Sequence, residues 1–271
     1  MPEQDNLRTT KEIYRLFNTG DIAGLLNHFD DHTIYHYHAP RELVPYGGGI
    51  TGAAAIGEMF VQLDALYEFE LFEPREFFAQ GDKVVALGHL RVRVKDTNEV
   101  FASDFAHAIA YKAGKPVRMD FFEDSAETAQ ALAGRNIAIA RRVIEAGWNQ
   151  ANLAVIDECY SDDAVMHDPA SAPDERQGST GRKRAIVRYR KALPDLHFTT
   201  SDYTAAGEMV YYHWTATATH LGELNGIPPT GKMITVTGTA SDRIVNGKIV
   251  EDWSHWDALG MMQQLGVIPT E

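Results

Sequence analysis

The sequence predicts an α+β fold that occurs twice, in two tandem domains. The segment Phe17-Asn18-Thr19-Gly20-Asp21 has a counterpart about 130 residues later, Trp148-Asn149-Gln150-Ala151-Asn152. In each half, helical spacing of apolar residues comes first and alternating β-branched and aromatic residues follow, which is the order of an α+β domain. A repeat this long indicates whole domains rather than a solenoid of short units. We therefore predict domains at residues 1–130 and 131–271.

In the first half, Ile13, Leu16 and Phe17 fall at helical spacing, and Gly20 ends that helix. The pattern then predicts a short helix over 22–29, a strand over 33–38 and a third helix over 53–66. From there the sequence becomes rich in strands, as in the alternating segment 83–94.

The second half repeats this order. Ile137, Ile144 and Trp148 form the apolar stripe of its first helix. The pattern next predicts a short helix over 153–160, a strand over 164–168, a third helix over 182–193 and a β-rich remainder. Each half thus has about three helices and an antiparallel sheet of four or five strands. The polar, Ala-rich stretch 125–135 is predicted to be a short connector between them.

Composition narrows the functional classes. The net charge of -13 argues against binding to nucleic acid or to an anionic membrane, since both need clustered cations. No apolar run approaches the roughly 20 residues that span a bilayer, and the acidic, polar first residues do not resemble a secretory signal. Cys159 is the only cysteine, which excludes an internal disulfide and a cysteine-based zinc site. A cytoplasmic enzyme or binding protein is expected.

One part of the chain resembles a known family. Residues 219–232, which contain the loop Gly226-Ile227-Pro228-Pro229-Thr230-Gly231, together with 247–253 and 257–266, resemble the SnoaL-like polyketide cyclases. The resemblance covers nearly all of 135–269. The first half looks like a more distant relative, because it matches at residues 17–20 and 114–124 but lacks the Gly-Ile-Pro-Pro-Thr-Gly loop.

This resemblance implies the cone-shaped α+β fold of nuclear transport factor 2 and ketosteroid isomerase, in which a curved sheet and helices surround a deep apolar pocket. It also implies a small hydrophobic substrate, cyclic or polyketide-derived, and acid/base chemistry without a metal or an organic cofactor. Because such cones often pair through their sheets, the two halves are expected to form a pseudo-dimer within the chain, and further homo-oligomers remain open.

In the second half, strand alternation puts Val250, Asp252 and Ser254 on one face. The resemblance aligns the acid/base Asp of the family's aldol cyclases with Ser254, so Asp252, two residues earlier on the same face, is the nearest carboxylate. Burial in an apolar cone raises the pKa of a carboxyl group, as proton abstraction next to a carbonyl requires. We therefore predict that Asp252 is the catalytic base and that Ser254 contacts the substrate.

The opposite wall is predicted to contain His167 and Asp168. A histidine there would shuttle protons near neutral pH, so His167 is a second catalytic candidate. Asp168 would orient that histidine, contact the substrate or cap the turn at the following proline. Trp148 matches an aromatic residue that faces the pocket in the family, and Phe17 is its counterpart in the first half.

In the first half the corresponding strand presents Phe121, and Asp120 faces the pocket only if the register shifts by one residue. His107 aligns with a pocket histidine of the cyclases and is the catalytic candidate of this half. His36 and His38 lie two residues apart on a strand, so they face the same way, and we expect them to line the pocket. The spacing shows no third ligand, so no metal site is predicted.

The favoured function is a cofactor-independent enzyme that abstracts a proton next to a carbonyl, leading to aldol-type cyclisation, isomerisation or retro-aldol cleavage. An epoxide hydrolase on the same fold is an alternative that needs two convergent carboxylates, Asp252 and Asp168, with an arginine between them. A non-catalytic protein that binds a small molecule is a further alternative. A peptide-binding module that resembles nuclear transport factor 2 is disfavoured by the long motif match of the second half.

Overall fold

The computed structural model describes residues 2–269. The chain divides into two compact units, one ending at Arg135 and the other beginning at Asn136. The predicted domain boundary, after residue 130, falls in the same helix as this division. Among the described residues, no helix has both the length and the apolar character needed to cross a bilayer.

The first unit begins with helices and ends with long strands. Its elements, in chain order, are α1 (Pro2–Asn18), α2 (Ile22–Leu26), β1 (Ile34–Tyr37), β2 (Gly48–Thr51), α3 (Ala53–Leu66), β3 (Tyr67–Gln80), β4 (Lys83–Val94), β5 (Val100–Lys112) and β6 (Lys115–Glu123). The strands form one sheet in the order β2-β1-β6-β5-β4-β3. Alternate residues of β4 and β5 are buried, as expected for strands with one face on a core.

The second unit repeats the plan. Its elements are α4 (Ser125–Arg142), a π-helical segment (Val143–Asn149), α5 (Leu153–Cys159), β7 (Tyr160–His167), a 3₁₀ turn (Pro173–Glu175), α6 (Gly178–Ala192), β8 (His197–Ala206), β9 (Met209–Thr219), β10 (Met233–Val245), β11 (Lys248–Trp256) and α7 (Ala258–Leu265). Five strands form a sheet in the order β7-β11-β10-β9-β8. The predicted α+β class, with about three helices on a sheet in each cone, is confirmed.

Each sheet contains one parallel pairing in addition to the predicted antiparallel ones. In the first unit β1 runs parallel to β6, and in the second β7 runs parallel to β11. The first strand of each unit lies beside its last strand, after a long crossover through the third helix and the other strands. This pairing brings residues from both ends of each unit to the same part of the sheet.

The predicted connector over 125–135 is wrong, because this stretch is the beginning of helix α4. The Asp124 carboxylate accepts a hydrogen bond from the Ala126 N–H and so caps the first turn. The stretch is rich in alanine, which favours helix, and Ala131 and Leu132 are buried in the core of the first unit. Capping and burial outweigh the polar residues on which the connector prediction relied.

Candidate functional site

The second unit contains a partly enclosed cavity of about 100 Å³ between its sheet and its helices. Most of the wall is apolar or aromatic. Its aromatic side chains include Trp148, Tyr189, Phe198, Tyr212, Trp214 and Trp256. Trp148 is presented by the π-helical segment, whose extra residue per turn is a feature often found at functional sites. The wall thus includes the aromatic residue that the sequence analysis placed there.

Asp252 projects into this cavity from β11 and is 6% exposed. Its Oδ2 accepts a hydrogen bond from the Tyr160 hydroxyl at 2.7 Å and forms an ion pair with Nη2 of Arg182 at 2.6 Å. A bulge between Ile249 and Glu251 shifts the strand, so Ile249, rather than the predicted Val250, is the buried residue before Asp252.

Arg182, on helix α6, is a site residue that was not among the candidates predicted from the sequence. Arg182 is 7% exposed, and its guanidinium group lies 5.3 Å from the ring centroid of Tyr160. A buried cation needs a counter-charge, which Asp252 supplies. The sequence did contain a signal that Arg182 faces inward: Ile186 and Tyr189, four and seven residues later, lie on the same side of α6.

Asp242 is a second buried carboxyl group that the sequence analysis missed. It is the cross-strand neighbour of Asp252 on β10, and it is 1% exposed. Burial raises the pKa of Asp242 well above its usual range, the negative charge of Asp252 adds to that effect, and Arg182 opposes it. Protonation is therefore favoured at Asp242, while Asp252 pairs with Arg182. Strand alternation was the available signal, since Ile234, Val236 and Ile244 face inward at even positions of the same strand.

Asp168 and Ser254 both line the cavity, as expected. Oδ1 of Asp168 also accepts a hydrogen bond from the Ala170 N–H at 2.9 Å, which is the turn-capping role considered for it. Among the described residues Asp168 forms no hydrogen bond or ion pair with His167, whose Nε2 lies 3.5 Å from Glu251 instead.

His167 lies outside the cavity, contrary to the sequence prediction. Ala164 and Met166, near the end of β7, are buried, so alternation turns His167 to the other face. There its ring stacks on Trp253 at 4.9 Å between centroids, and its Nε2 lies 3.5 Å from Glu251. Its side chain is 39% exposed. This position makes it a surface residue with no access to Asp252.

The first unit contains a cavity of its own, of about 80 Å³. His107, Phe17 and Phe121 line it, as the sequence analysis expected. His107 is 5% exposed, and burial lowers its pKa to about 3. Glu123 is the carboxyl group of this wall, and burial raises its pKa.

His36 and His38 do not line this cavity, contrary to expectation. Tyr35 and Tyr37 are the residues of β1 that face it, so the two histidines point to the other side of the sheet. Asp120 is also on that side, where its Oδ1 lies 3.0 Å from Nε2 of His38. The register shift that would have brought Asp120 into the cavity does not occur.

The three side chains offer ligand atoms within 4.8 Å of one another, so a third candidate ligand exists that the spacing did not reveal. Arg118, however, donates two hydrogen bonds to the Asp120 carboxylate, both at 2.7 Å. Its guanidinium already neutralises the carboxylate that would bind a metal ion, so the group is an ion-pair network in this structure.

Comparison with known proteins identifies both halves. Residues 138–265 match the family model described as SnoaL-like polyketide cyclase, and residues 10–119 match the model described as SnoaL-like domain. No curated protein matches the chain.

Solved structures resemble one domain at a time. An NTF2-like protein from Burkholderia xenovorans is 28% identical, with a TM-score of 0.44, over 48% of this chain and 96% of that chain. IdmH from Streptomyces antibioticus is 29% identical, with a TM-score of 0.43, over 48% of this chain and 98% of that chain. TsrD from Streptomyces laurentii is 24% identical, with a TM-score of 0.45, over 50% of this chain and 97% of that chain.

Proposed function

Since the chain belongs to the SnoaL-like family, with one such domain in each half, we propose that its second domain is an acid/base enzyme for a small hydrophobic, oxygenated substrate. The substrate is a ring compound or a polyketide-like chain with a carbonyl group. One observation carries this proposal: a buried carboxylate, Asp252, projects into an apolar cavity while Tyr160 and Arg182 hold one of its oxygens. A positioned carboxylate in such a cavity is suited to proton abstraction.

In the proposed reaction, Asp252 takes a proton from the carbon next to the substrate carbonyl, and the bonding electrons move to the carbonyl oxygen as an enolate. Nε of Arg182 has no hydrogen-bond acceptor within residues 2–269. A substrate oxygen would supply that acceptor, and the arginine's charge would stabilise the enolate. The enolate carbon then attacks a second carbonyl in an aldol step, and the new alkoxide takes the proton back from Asp252. Isomerisation instead returns this proton to a different carbon.

Replacement of the base tests this proposal. Asp252→Asn should lower the rate of deuterium exchange from D₂O into the α-carbon of accepted ring ketones at least about 100-fold, in line with the loss of a general base. It should also lower the unfolding free energy, because Arg182 loses its counter-charge in a buried site. The double variant Asp252→Asn/Arg182→Gln should recover stability but not exchange.

The neighbouring residues supply matched controls. Glu251→Gln alters the residue before Asp252, which lies on the opposite face of β11. His167→Ala alters the surface histidine. Both variants should exchange α-protons at the wild-type rate. Wild-type exchange by the folded double variant would rule out Asp252 as the base, whatever happens to stability.

The position of Arg182 favours a second candidate, epoxide hydrolysis. Arg182 forms an ion pair with Asp252, whose cross-strand neighbour is Asp242, so this cation lies near two carboxyl groups. The sequence analysis considered Asp252 with Asp168, but Asp242 is the cross-strand neighbour of Asp252. In this reaction Asp252 accepts a proton from water, and the water oxygen attacks an epoxide carbon. The C–O bond of the ring breaks, and the resulting alkoxide takes the proton back from Asp252.

Isotope labelling separates the two reactions. An epoxide hydrolase incubated with a single-ring epoxide in H₂¹⁸O yields a diol that contains one ¹⁸O atom, and mass spectrometry detects it. An enzyme that only forms enolates yields no labelled diol and exchanges α-protons of a ketone instead. Whichever product forms, Asp252→Asn must abolish it for the assignment to stand.

A further inference from the structure

We propose that the cavity of the first domain is a separate binding site for a small, uncharged aromatic compound that carries an oxygen acceptor such as a ketone. This inference concerns a different domain from the proposed catalytic site and does not depend on it. It assigns to the first domain the non-catalytic binding of a small molecule that was an alternative from the sequence. Three observations support the proposal. Aromatic side chains line the cavity, no lysine or arginine of the described residues does so, and Nε2 of His107 has no hydrogen-bond partner there.

The shape and the lining of the cavity favour a flat ring. Phe72 and Phe121 line the cavity, and each stacks on Phe105, at 4.8 Å and 5.4 Å between centroids. Aromatic groups pack well on such surfaces. The volume of about 80 Å³ is smaller than the roughly 150 Å³ of an engineered cavity that binds benzene. The cavity is therefore too small for more than one aromatic ring, and the wall must move outward to admit that ring.

The wall disfavours an anionic ligand. No lysine or arginine is among the residues that line the cavity, so a buried anion would lack a counter-charge. The carboxyl group of Glu123 lies in the same wall and accepts a hydrogen bond from Thr128 at 2.7 Å. The Glu123 carboxyl group would also repel an anionic ligand.

The tautomer of His107 determines what the ligand must offer. The Tyr14 hydroxyl lies 2.9 Å from Nδ1 of His107. Burial raises the pKa of Tyr14 well above its usual range, so its hydroxyl keeps its proton. Donation of this proton to Nδ1 satisfies both groups, and the hydrogen of the neutral imidazole then resides on Nε2. The opposite tautomer would leave the Tyr14 hydrogen without an acceptor.

Nε2 of His107 has no hydrogen-bond partner within the described residues. With its pKa lowered to about 3, the imidazole remains neutral at physiological pH. An unpaired buried N–H costs about 1–3 kcal/mol. A ligand oxygen that accepts from this N–H removes that cost, whereas a hydrocarbon ring of the same shape leaves it in place.

Titration calorimetry on the full chain tests the proposal with three probes. Acetophenone supplies a ring and a carbonyl oxygen, ethylbenzene has nearly the same shape without the acceptor, and benzylamine carries a positive charge that Glu123 would favour. We expect acetophenone to bind at least tenfold more tightly than either of the others. His107→Phe should remove this preference, and His36→Phe, which alters a histidine outside the cavity, should preserve it.

Side-chain ¹⁵N NMR of the histidines gives a second measurement that does not depend on the stability of a His107 variant. Acetophenone should shift the protonated Nε2 signal of His107, and Tyr14→Phe should convert its spectrum into a mixture of tautomers. The Asp252→Asn/Arg182→Gln variant should show the same Nε2 shift, so loss of the proposed activity leaves this result unaffected. Equal affinity for acetophenone and ethylbenzene, tighter binding of benzylamine, or an unchanged Nε2 signal would each overturn the proposal.

Discussion

At the scale of single residues, Asp242 and Asp252 have the same chemistry and adjacent positions but different partners. Arg182 and Tyr160 bind Oδ2 of Asp252, whereas Oδ1 of Asp242 finds no partner among residues 2–269. Burial and the nearby charge of Asp252 both raise the pKa of Asp242. Protonation is thus favoured at Asp242, while the carboxyl group of Asp252 pairs with a cation.

Asp242→Asn tests this division of charge. Because the pKa of Asp242 is higher in the folded state than in the unfolded chain, the folded state binds more protons. This group's contribution to stability is then greatest below about pH 4 and is lost as the pH rises toward the folded-state pKa. Asparagine does not titrate, so the melting temperature of the variant relative to wild type should increase between pH 4 and pH 8. A relative decrease would show that Asp242 is ionised in the folded protein.

The sequence located much of the candidate site. Residues that it placed correctly in a cavity are Asp252, Ser254, Asp168, Trp148, His107, Phe17 and Phe121. It placed His167, His36 and His38 on the wrong face, because two-residue alternation assigns a face only after one residue of the strand is known to be buried. It missed Arg182 and Asp242 because a charged residue is expected at the surface unless its partner is known.

At the scale of elements, each sheet contains a glycine that is paired with an aromatic residue of the neighbouring strand and lies against its ring. Gly88 on β4 is paired with Phe105 on β5, and Gly238 on β10 is paired with Trp214 on β9. A side chain at either glycine would overlap the ring. These glycines let large aromatic residues lie close to the sheet, and Trp214 lines the second cavity.

Gly238→Ala should therefore narrow the second cavity. The added Cβ would lie 2.3 Å from Cζ2 of Trp214 and 2.7 Å from the backbone oxygen of His255. Overpacking of this kind costs about 1–3 kcal/mol, and displacement of Trp214 should raise the KM of accepted substrates. Urea unfolding and steady-state kinetics measure the two effects. Gly49→Ala is the control, since its nearest neighbouring atom is 4.0 Å away, and unchanged stability in Gly238→Ala would contradict this account.

At the scale of the whole molecule, the chain contains two complete copies of one plan with different interiors. The core of the second unit is built from residues after 136, and the cores of the first unit end at Leu132. One cavity contains an ion pair between Arg182 and Asp252, while no lysine or arginine of residues 2–269 lines the other. Duplication preserved the scaffold, and the polar residues inside it differ.

Separate expression tests the proposed domain organisation. A fragment of residues 136–271 contains the entire second core, so we expect it to unfold cooperatively and to retain the Asp252-dependent exchange of α-protons. Circular dichroism and the D₂O assay measure these properties. The same fragment that carries Asp252→Asn/Arg182→Gln serves as the control. A fragment without cooperative unfolding would show that the second core is incomplete by itself.

The sequence alone determined the duplication, the α+β class, the order of the elements and the face that Asp252 shares with Ser254, because these depend on local periodicity and on recurring motifs. Only the tertiary structure decided which carboxyl group pairs with an arginine, which arginine is buried and which histidines reach a cavity. The physical reason is that charge state and access depend on contacts between residues far apart in the chain, as in the pairing of β10 with β11 and the approach of α6 to Asp252.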